Sequence, residues 1–145
     1  MIRVAIVDDK KSNRLILADK LKNAGLFEIV FEASNGMQFL EKMAAMVPEN
    51  RPGIAIIDLA MPVMDGIVTI ATASTLYPGV KYVVLTIFDD DDKIFRAIKA
   101  GACGYLLKEE SSGVIAGMLA NLSQNGAGPI SPSIAYKILQ FVQHD

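Results

Sequence analysis

Gly53-Ile-Ala-Ile-Ile-Asp58-Leu59 has no polar face: five small or apolar residues run without interruption into an acid at position 58. A strand open to water on one side alternates polar and apolar side chains. One that is apolar on both sides has to be covered from both. The same texture recurs in Ile2–Val7, broken only by Arg3, in Lys81–Thr86 and in the short run Gly104–Leu107, and residues 28–33 read as a further strand. Between these runs the apolar period changes to that of a helix. Residues 12–24 place Leu15, Ile16 and Leu21 at helical spacing and stop at Gly25. Residues 36–46 carry Phe39, Leu40, Met43 and Met46, whose methionines read as core filler. Gly66–Leu76 is ended by Tyr77-Pro78-Gly79, and Val114, Ile115, Met118, Leu119 and Leu122 mark a fifth helix ending near Gly126. In the helix expected over 89–100 the first turn holds Asp90, Asp91 and Asp92. Acid there complements the positive end of the helix dipole, so this run reads as a solvated helix start and not a calcium loop.

Five alternating β/α units predict an α/β fold: a three-layer sandwich with a five-stranded parallel sheet between two helical layers. The expected strand order is the flavodoxin-like 2-1-3-4-5, which makes strands 1 and 3 neighbours at the switch point. Ligands then bind beyond the carboxyl ends of the strands. After residue 125 the texture changes. Gly126-Ala127-Gly128-Pro129 reads as a linker, Ser131-Pro132 as an N-cap followed by proline, and Ile134, Ile138, Leu139 and Val142 as a short helix. The expected organisation is one domain over 1–125 and a connector over 126–145.

With 145 residues, 52% of them hydrophobic and 21% charged, the chain is the size of one domain with a substantial core. No apolar run approaches the roughly 18 residues of a membrane span. The first residues read as a strand and not as a signal peptide, which points to the cytoplasm. A single cysteine, Cys103, excludes an internal disulfide framework, and in its apolar stretch it is expected to be a small buried hydrophobe. A net charge of -2 without a basic stripe argues against DNA contact by these residues. His144, near the terminus, is assigned no role.

In the predicted sheet, Asp8 and Asp9 close strand 1, Asp58 strand 3, Thr86 strand 4 and Lys108 strand 5, so all five lie on one edge. An acid or lysine alone at such a place is usually a solvated loop residue; the coincidence of five is what carries weight. Three carboxylates together repel unless a cation lies among them. Mg²⁺ fits, because it takes one or two carboxylates and keeps several waters. Phosphoryl transfer needs a nucleophile and neutralisation of the equatorial oxygens. Asp58 suits an acyl-phosphate nucleophile, and Lys108 and Thr86 suit two of the oxygens.

The stretch Asp58-Leu-Ala-Met61-Pro62-Val-Met64-Asp65-Gly66 resembles the phosphorylation-site motif of response-regulator receiver domains, D-x-x-M-P-x-x-D-G. The pair Asp8-Asp9, Thr86 and the run from Ala100 to Lys108 match the other receiver signatures. That run and the tail Gly128-Pro129-Ile130-Ser131-Pro132 look like the NarL/FixJ (LuxR-type) subfamily. The resemblance covers essentially the whole chain. It implies that Asp58 is the phosphoacceptor and that Asp9, Asp58 and the backbone carbonyl of Ala60 bind Mg²⁺ with Asp8 assisting. It also implies that Lys108 pairs with the phosphoryl group, that Thr86 swings in to hydrogen-bond it, and that Tyr105 is an aromatic switch. Tyr105 is equally compatible with a half-buried aromatic of a short strand. Pro62 and Gly66 shape the loop after the site, and Asp65 reads as turn and N-cap chemistry. Ala60 and Phe88 flank the site and are placed to control water access. The implied partners are a sensor histidine kinase and, in some members, a second copy of the chain. The implied output face is made by helix 4, strand 5 and helix 5, or by helices 1 and 5. Such proteins signal and do not turn over an external substrate. Members usually continue into a helix-turn-helix DNA-binding domain, so the chain is either a fragment or a stand-alone receiver, and the linker-like tail favours a fragment of a transcription regulator.

Other classes fit less well. A phosphatase of the haloacid-dehalogenase type wants an acid two residues after its nucleophile, where Ala60 stands. A nucleotide or flavin carrier wants a glycine loop after strand 1, where Asp8-Asp9-Lys10-Lys11-Ser12 stands. The remaining alternative is a receiver-like interaction module that no longer uses phosphate.

Overall fold

A computed structural model describes residues 1–126 and 128–144; Ala127 of the expected linker and Asp145 at the end of the tail lie outside the described residues. The strands β1 (Ile2–Val7), β2 (Phe27–Ala33), β3 (Ile54–Ile57), β4 (Lys81–Thr86) and β5 (Gly104–Leu107) form one parallel sheet in the order β2-β1-β3-β4-β5. The helices are α1 (Lys11–Ala24), α2 (Gly36–Ala45), α3 (Gly66–Leu76), α4 (Asp91–Ala100), α5 (Ser112–Asn125) and α6 (Pro132–His144), with a 3-10 turn at Pro48–Asn50. This is the three-layer architecture that the doubly apolar strands require. The pleat sends Ala5, Val7, Ile57, Val84 and Tyr105 to one side, where they meet Phe39 of α2, Ile70 of α3 and Ile94 of α4. It sends Val4, Ile6, Ile56 and Leu85 to the other, where they meet Leu17 and Leu21 of α1 and Ile115 and Leu119 of α5. Each large side chain so buried contributes about 1.5–3 kcal/mol of transfer free energy.

The C-terminal segment differs most from the sequence reading. Residues 128–131 run along the outer edge of β5. The Tyr105 N–H donates to the Pro129 carbonyl at 2.9 Å, the Ser131 N–H donates to the Tyr105 carbonyl at 3.1 Å, and Tyr105 and Ile130 form a parallel bridge. Ser131 accepts the first helical bond at its carbonyl, from the Ala135 N–H at 3.0 Å, as an N-cap does. Its hydroxyl, however, accepts from the Leu107 N–H at 3.0 Å. In α6, Ile134 is fully buried among residues of the α2–α3–α4 layer, Ile138 and Phe141 pack beside it, and the Phe141 ring meets Phe95 of α4 edge-on at 5.8 Å. The reason is physical: the outer edge of β5 presents backbone donors and acceptors that need partners, and this segment supplies them. Gly128 permits the approach, since a Cβ there would stand 2.0 Å from the Cys103 carbonyl oxygen. Cys103 itself is exposed and not the buried hydrophobe expected, because it occupies the turn between α4 and β5 with its N–H donated to the Tyr82 carbonyl.

Candidate functional site

The parallel ladder carries the site residues to one edge. The backbone N–H of Asp8 donates to Ala33, that of Asp58 to Val7, and that of Lys108 to Thr86, at 3.1, 2.9 and 2.9 Å. Asp8, Asp58 and Lys108 therefore each sit one residue past a strand yet remain tied to its neighbour, and Thr86 is the last residue of β4. The sheet thus brings together the five positions singled out from the sequence.

Carboxylate oxygens of Asp8, Asp9 and Asp58 lie within 4.8 Å of one another. Asp8 and Asp58 are buried and Asp9 is the most open of the three. The Lys108 ammonium bridges the two buried acids, donating to Asp8 Oδ2 at 2.8 Å and to Asp58 Oδ2 at 3.0 Å. Burial pulls the Lys108 pKa down, but the hydrogen bonds and charges of Asp8 and Asp58 outweigh it and hold the ammonium above its ordinary value. The other oxygens are oriented from the backbone: Asp58 Oδ1 accepts from the Leu59 N–H at 2.8 Å, and Asp8 Oδ1 from the Lys10 N–H at 3.0 Å. One ammonium against three carboxylates leaves the cluster negative. An all-oxygen donor set of that sign fits a hard divalent cation.

Two contributors were not singled out from the sequence. The Asn13 amide approaches Asp8 Oδ1 at 3.5 Å, and the Arg14 guanidinium donates to the Asp8 carbonyl at 2.8 Å while pairing with Glu32 at 3.3 Å. Both lie in the first turn of α1, and the signal that could have found them is polar residues on the turn that immediately follows Asp8-Asp9. A cavity of about 270 Å³ opens beside Asp8, Asp58 and Lys108, walled by Ile16 and Leu17 of α1 and Ile115 of α5.

Ala60 begins the exposed loop from Asp58 to α3. Its far end is held close: the Gly66 N–H donates to the Leu59 carbonyl at 2.9 Å, and a Cβ at position 66 would stand 2.2 Å from the Asp58 carbonyl oxygen. Only glycine fits there. Asp65 caps α3 by accepting from the Val68 N–H at 2.9 Å, the local role expected for it. Thr86 is fully buried and its hydroxyl has no hydrogen-bond partner. An orphaned hydroxyl costs on the order of 1–3 kcal/mol, so its presence at the same edge of the sheet needs a reason. Tyr105 is buried, and its hydroxyl donates to the Phe88 carbonyl at 2.7 Å. Burial first, and then the charges of Asp90, Asp89 and Asp58, keep that proton bound well above the usual tyrosine range.

A parallel α/β sheet with acids, a lysine and a hydroxyl gathered at its switch point defines the class: a flavodoxin-like domain with its charged groups at the carboxyl edge of the sheet. The chain matches the response regulator receiver domain over residues 4–120. It is 34% identical to the transcriptional regulatory protein LiaR of Bacillus subtilis over 144 residues, which is 99% of this chain and 66% of that protein. It is 36% identical to the chemotaxis protein CheY of Thermotoga maritima over 106 residues, 73% of this chain and 84% of CheY. Among solved structures, the signal receiver domain of the response regulator NarL from Mycobacterium tuberculosis superposes with a TM-score of 0.78 at 26% identity, covering 86% of this chain and 97% of that one. The chain belongs to the response-regulator receiver family of two-component systems, in its NarL/FixJ (LuxR-type) branch. It spans just under two thirds of the length of LiaR. No helix of the described residues is long and apolar enough to cross a membrane.

Proposed function

We propose that this chain is a phosphorylation switch whose acceptor is Asp58. The observation that carries the reading is the Lys108 ammonium bridging two buried acids, on the same sheet edge as the buried, unpartnered Thr86 hydroxyl. A carboxylate oxygen of Asp58 would attack the phosphorus of a phosphohistidine on a sensor kinase. The O–P bond forms as the P–N bond breaks, and the imidazole leaves with the electron pair. Lys108 would hold one phosphoryl oxygen and Thr86 would donate its hydroxyl to another, where negative charge has to be neutralised. The residues that would hold Mg²⁺ are Asp8, Asp9, Asp58 and the Ala60 carbonyl; when bound, the ion would supply positive charge to the remaining phosphoryl oxygen. Tyr105 would report the movement of Thr86 through the Phe88 carbonyl. The cycle ends when water cleaves the acyl phosphate, so the domain promotes its own phosphorylation and dephosphorylation without turning over a separate substrate.

The wider assignments follow the family: a cytoplasmic protein, a receiver over 1–125 joined through 126–145 to a helix-turn-helix DNA-binding domain, homodimerisation, and control of transcription. The test is intact mass after incubation with acetyl phosphate and Mg²⁺, comparing wild type with Asp58→Ala. A phosphate-sized adduct on wild type alone, lost on chelation, is the expected result. A folded wild type that takes no adduct would instead be an interaction module independent of phosphate.

A further inference from the structure

We propose that residues 128–144 are a latch on the switch: docked, they favour the unphosphorylated arrangement, and phosphorylation of Asp58 loosens them. The proposal rests on the reading of Asp58 as acceptor. Its basis is where the segment is attached. Tyr105 is bonded through both backbone groups to Pro129 and Ser131. The Ser131 hydroxyl holds the Leu107 N–H, one residue before Lys108. The Lys137 ammonium of α6 donates to the Asp89 carbonyl at 2.7 Å and pairs with Asp91 at 3.5 Å.

The loop that follows Thr86 is consequently held at two successive carbonyls, Phe88 by the Tyr105 hydroxyl and Asp89 by Lys137. A movement of Thr86 toward a phosphoryl oxygen that drew this loop along would work against both bonds. Lys137 is the weaker tie, because it bonds at the exposed surface, where a charged contact is worth little. The tyrosine bond is buried. Release of Lys137 would free the Phe95–Phe141 contact and extend the apolar surface that Phe95, Ile98 and Leu139 already expose. Coupling of this kind is reciprocal in binding free energy: the factor by which phosphoryl occupancy weakens α6 docking is the factor by which docked α6 weakens phosphoryl occupancy.

The experiment uses the full chain, with the phosphoryl mimic beryllofluoride and Mg²⁺ as the probe, and acetyl phosphate in a parallel sample. Hydrogen exchange is followed by mass spectrometry over 134–144 in wild type, Lys137→Gln and Asp58→Ala. The expected result is faster exchange of α6 when the probe is bound to wild type, and no response in Asp58→Ala. Lys137→Gln should exchange faster without probe and bind beryllofluoride about two- to fivefold more tightly, the range that an exposed charged contact supports. An acyl phosphate seen by mass with α6 exchange unchanged, and equal beryllofluoride affinity in Lys137→Gln, overturns the latch and leaves Asp58 as acceptor. Wild type that forms neither adduct nor complex overturns the acceptor reading and the latch with it.

Discussion

Strand β5 is held in two ways. At its carboxyl end Lys108 is held by charge, between Asp8 and Asp58; along its outer edge Tyr105 and Leu107 are held by backbone and hydroxyl hydrogen bonds to Pro129 and Ser131. The outer edge is closed chemistry: every group named there has its partner, and Ile134 seals it from one side. The carboxyl end is open chemistry. Its carboxylates outnumber its ammonium, and Thr86 offers a hydroxyl that nothing accepts. A region whose polar groups balance holds itself together without a ligand. One whose groups are gathered, buried and unbalanced is ready for a charged ligand.

The contrast is broken most severely at Lys108. Lys108→Ala leaves Asp8 and Asp58 facing each other with no cation between them. The cost should lie toward the lower end of about 3–5 kcal/mol, because the lysine is partly open to water. Urea denaturation measures it, and added Mg²⁺ should recover more stability in the variant than in wild type. A cost under about 0.5 kcal/mol would mean that the bridge is a surface contact. The pH dependence follows from the raised pKa. The folded state holds the Lys108 proton more tightly than the unfolded chain does. The bridge's contribution is therefore complete below the ordinary lysine value of 10.5 and is lost as pH rises through the higher folded value. The gap in urea midpoint between wild type and Lys108→Ala should accordingly narrow in strong alkali.

The outer edge breaks more mildly. Ile134→Ala should cost about 2–3 kcal/mol, the low part of the range for a buried isoleucine, because α6 is able to lift instead of leaving a void. Ser131→Ala should cost about 1–2 kcal/mol by leaving the Leu107 N–H without an acceptor. Neither should alter the binding of Mg²⁺ alone, without a phosphoryl mimic. If Ile134→Ala changes the urea midpoint negligibly, the segment is a loose connector and the outer edge of β5 is not closed by it.

The two regions also differed in how far the sequence revealed them. Asp8, Asp9, Asp58, Thr86 and Lys108 were legible because strand ends in a parallel sheet share one edge, so four local patterns sufficed to gather them. The Asp65 cap was legible because it acts only three residues along the chain. The docking of residues 128–131 was not. Gly, Pro and Ser at these positions have the composition of a linker, and pairing with β5 depends on an edge formed more than twenty residues away. Asn13 and Arg14 escaped for a smaller reason: a polar first turn looks the same whether it faces water or Asp8. Cys103 was misplaced because an apolar neighbourhood in sequence is not one in space when a turn intervenes.

The smallest effect expected is at Val63, and it sharpens the contrast from the side of backbone strain. Val63 lies in the loop between Asp58 and α3 with φ +67°, the only non-glycine residue in the left-handed region among the described residues, and its side chain is exposed. A β-branched residue there costs about 1–2 kcal/mol in steric conflict and gains nothing from burial. Val63→Gly relieves the conflict but gives back part of the gain as entropy of the unfolded chain. Val63→Asn tolerates the conformation at less entropic cost. Both should therefore raise stability, by about 0.5–1 kcal/mol, with asparagine equal to or ahead of glycine. The reading is a shift in urea midpoint at unchanged slope. A gain places the strain in the loop that leaves Asp58, so that the open end of the molecule is mechanically as well as electrically unrelaxed. A loss from both substitutions would mean that the valine is held without strain, and that the asymmetry between the two regions is one of charge alone.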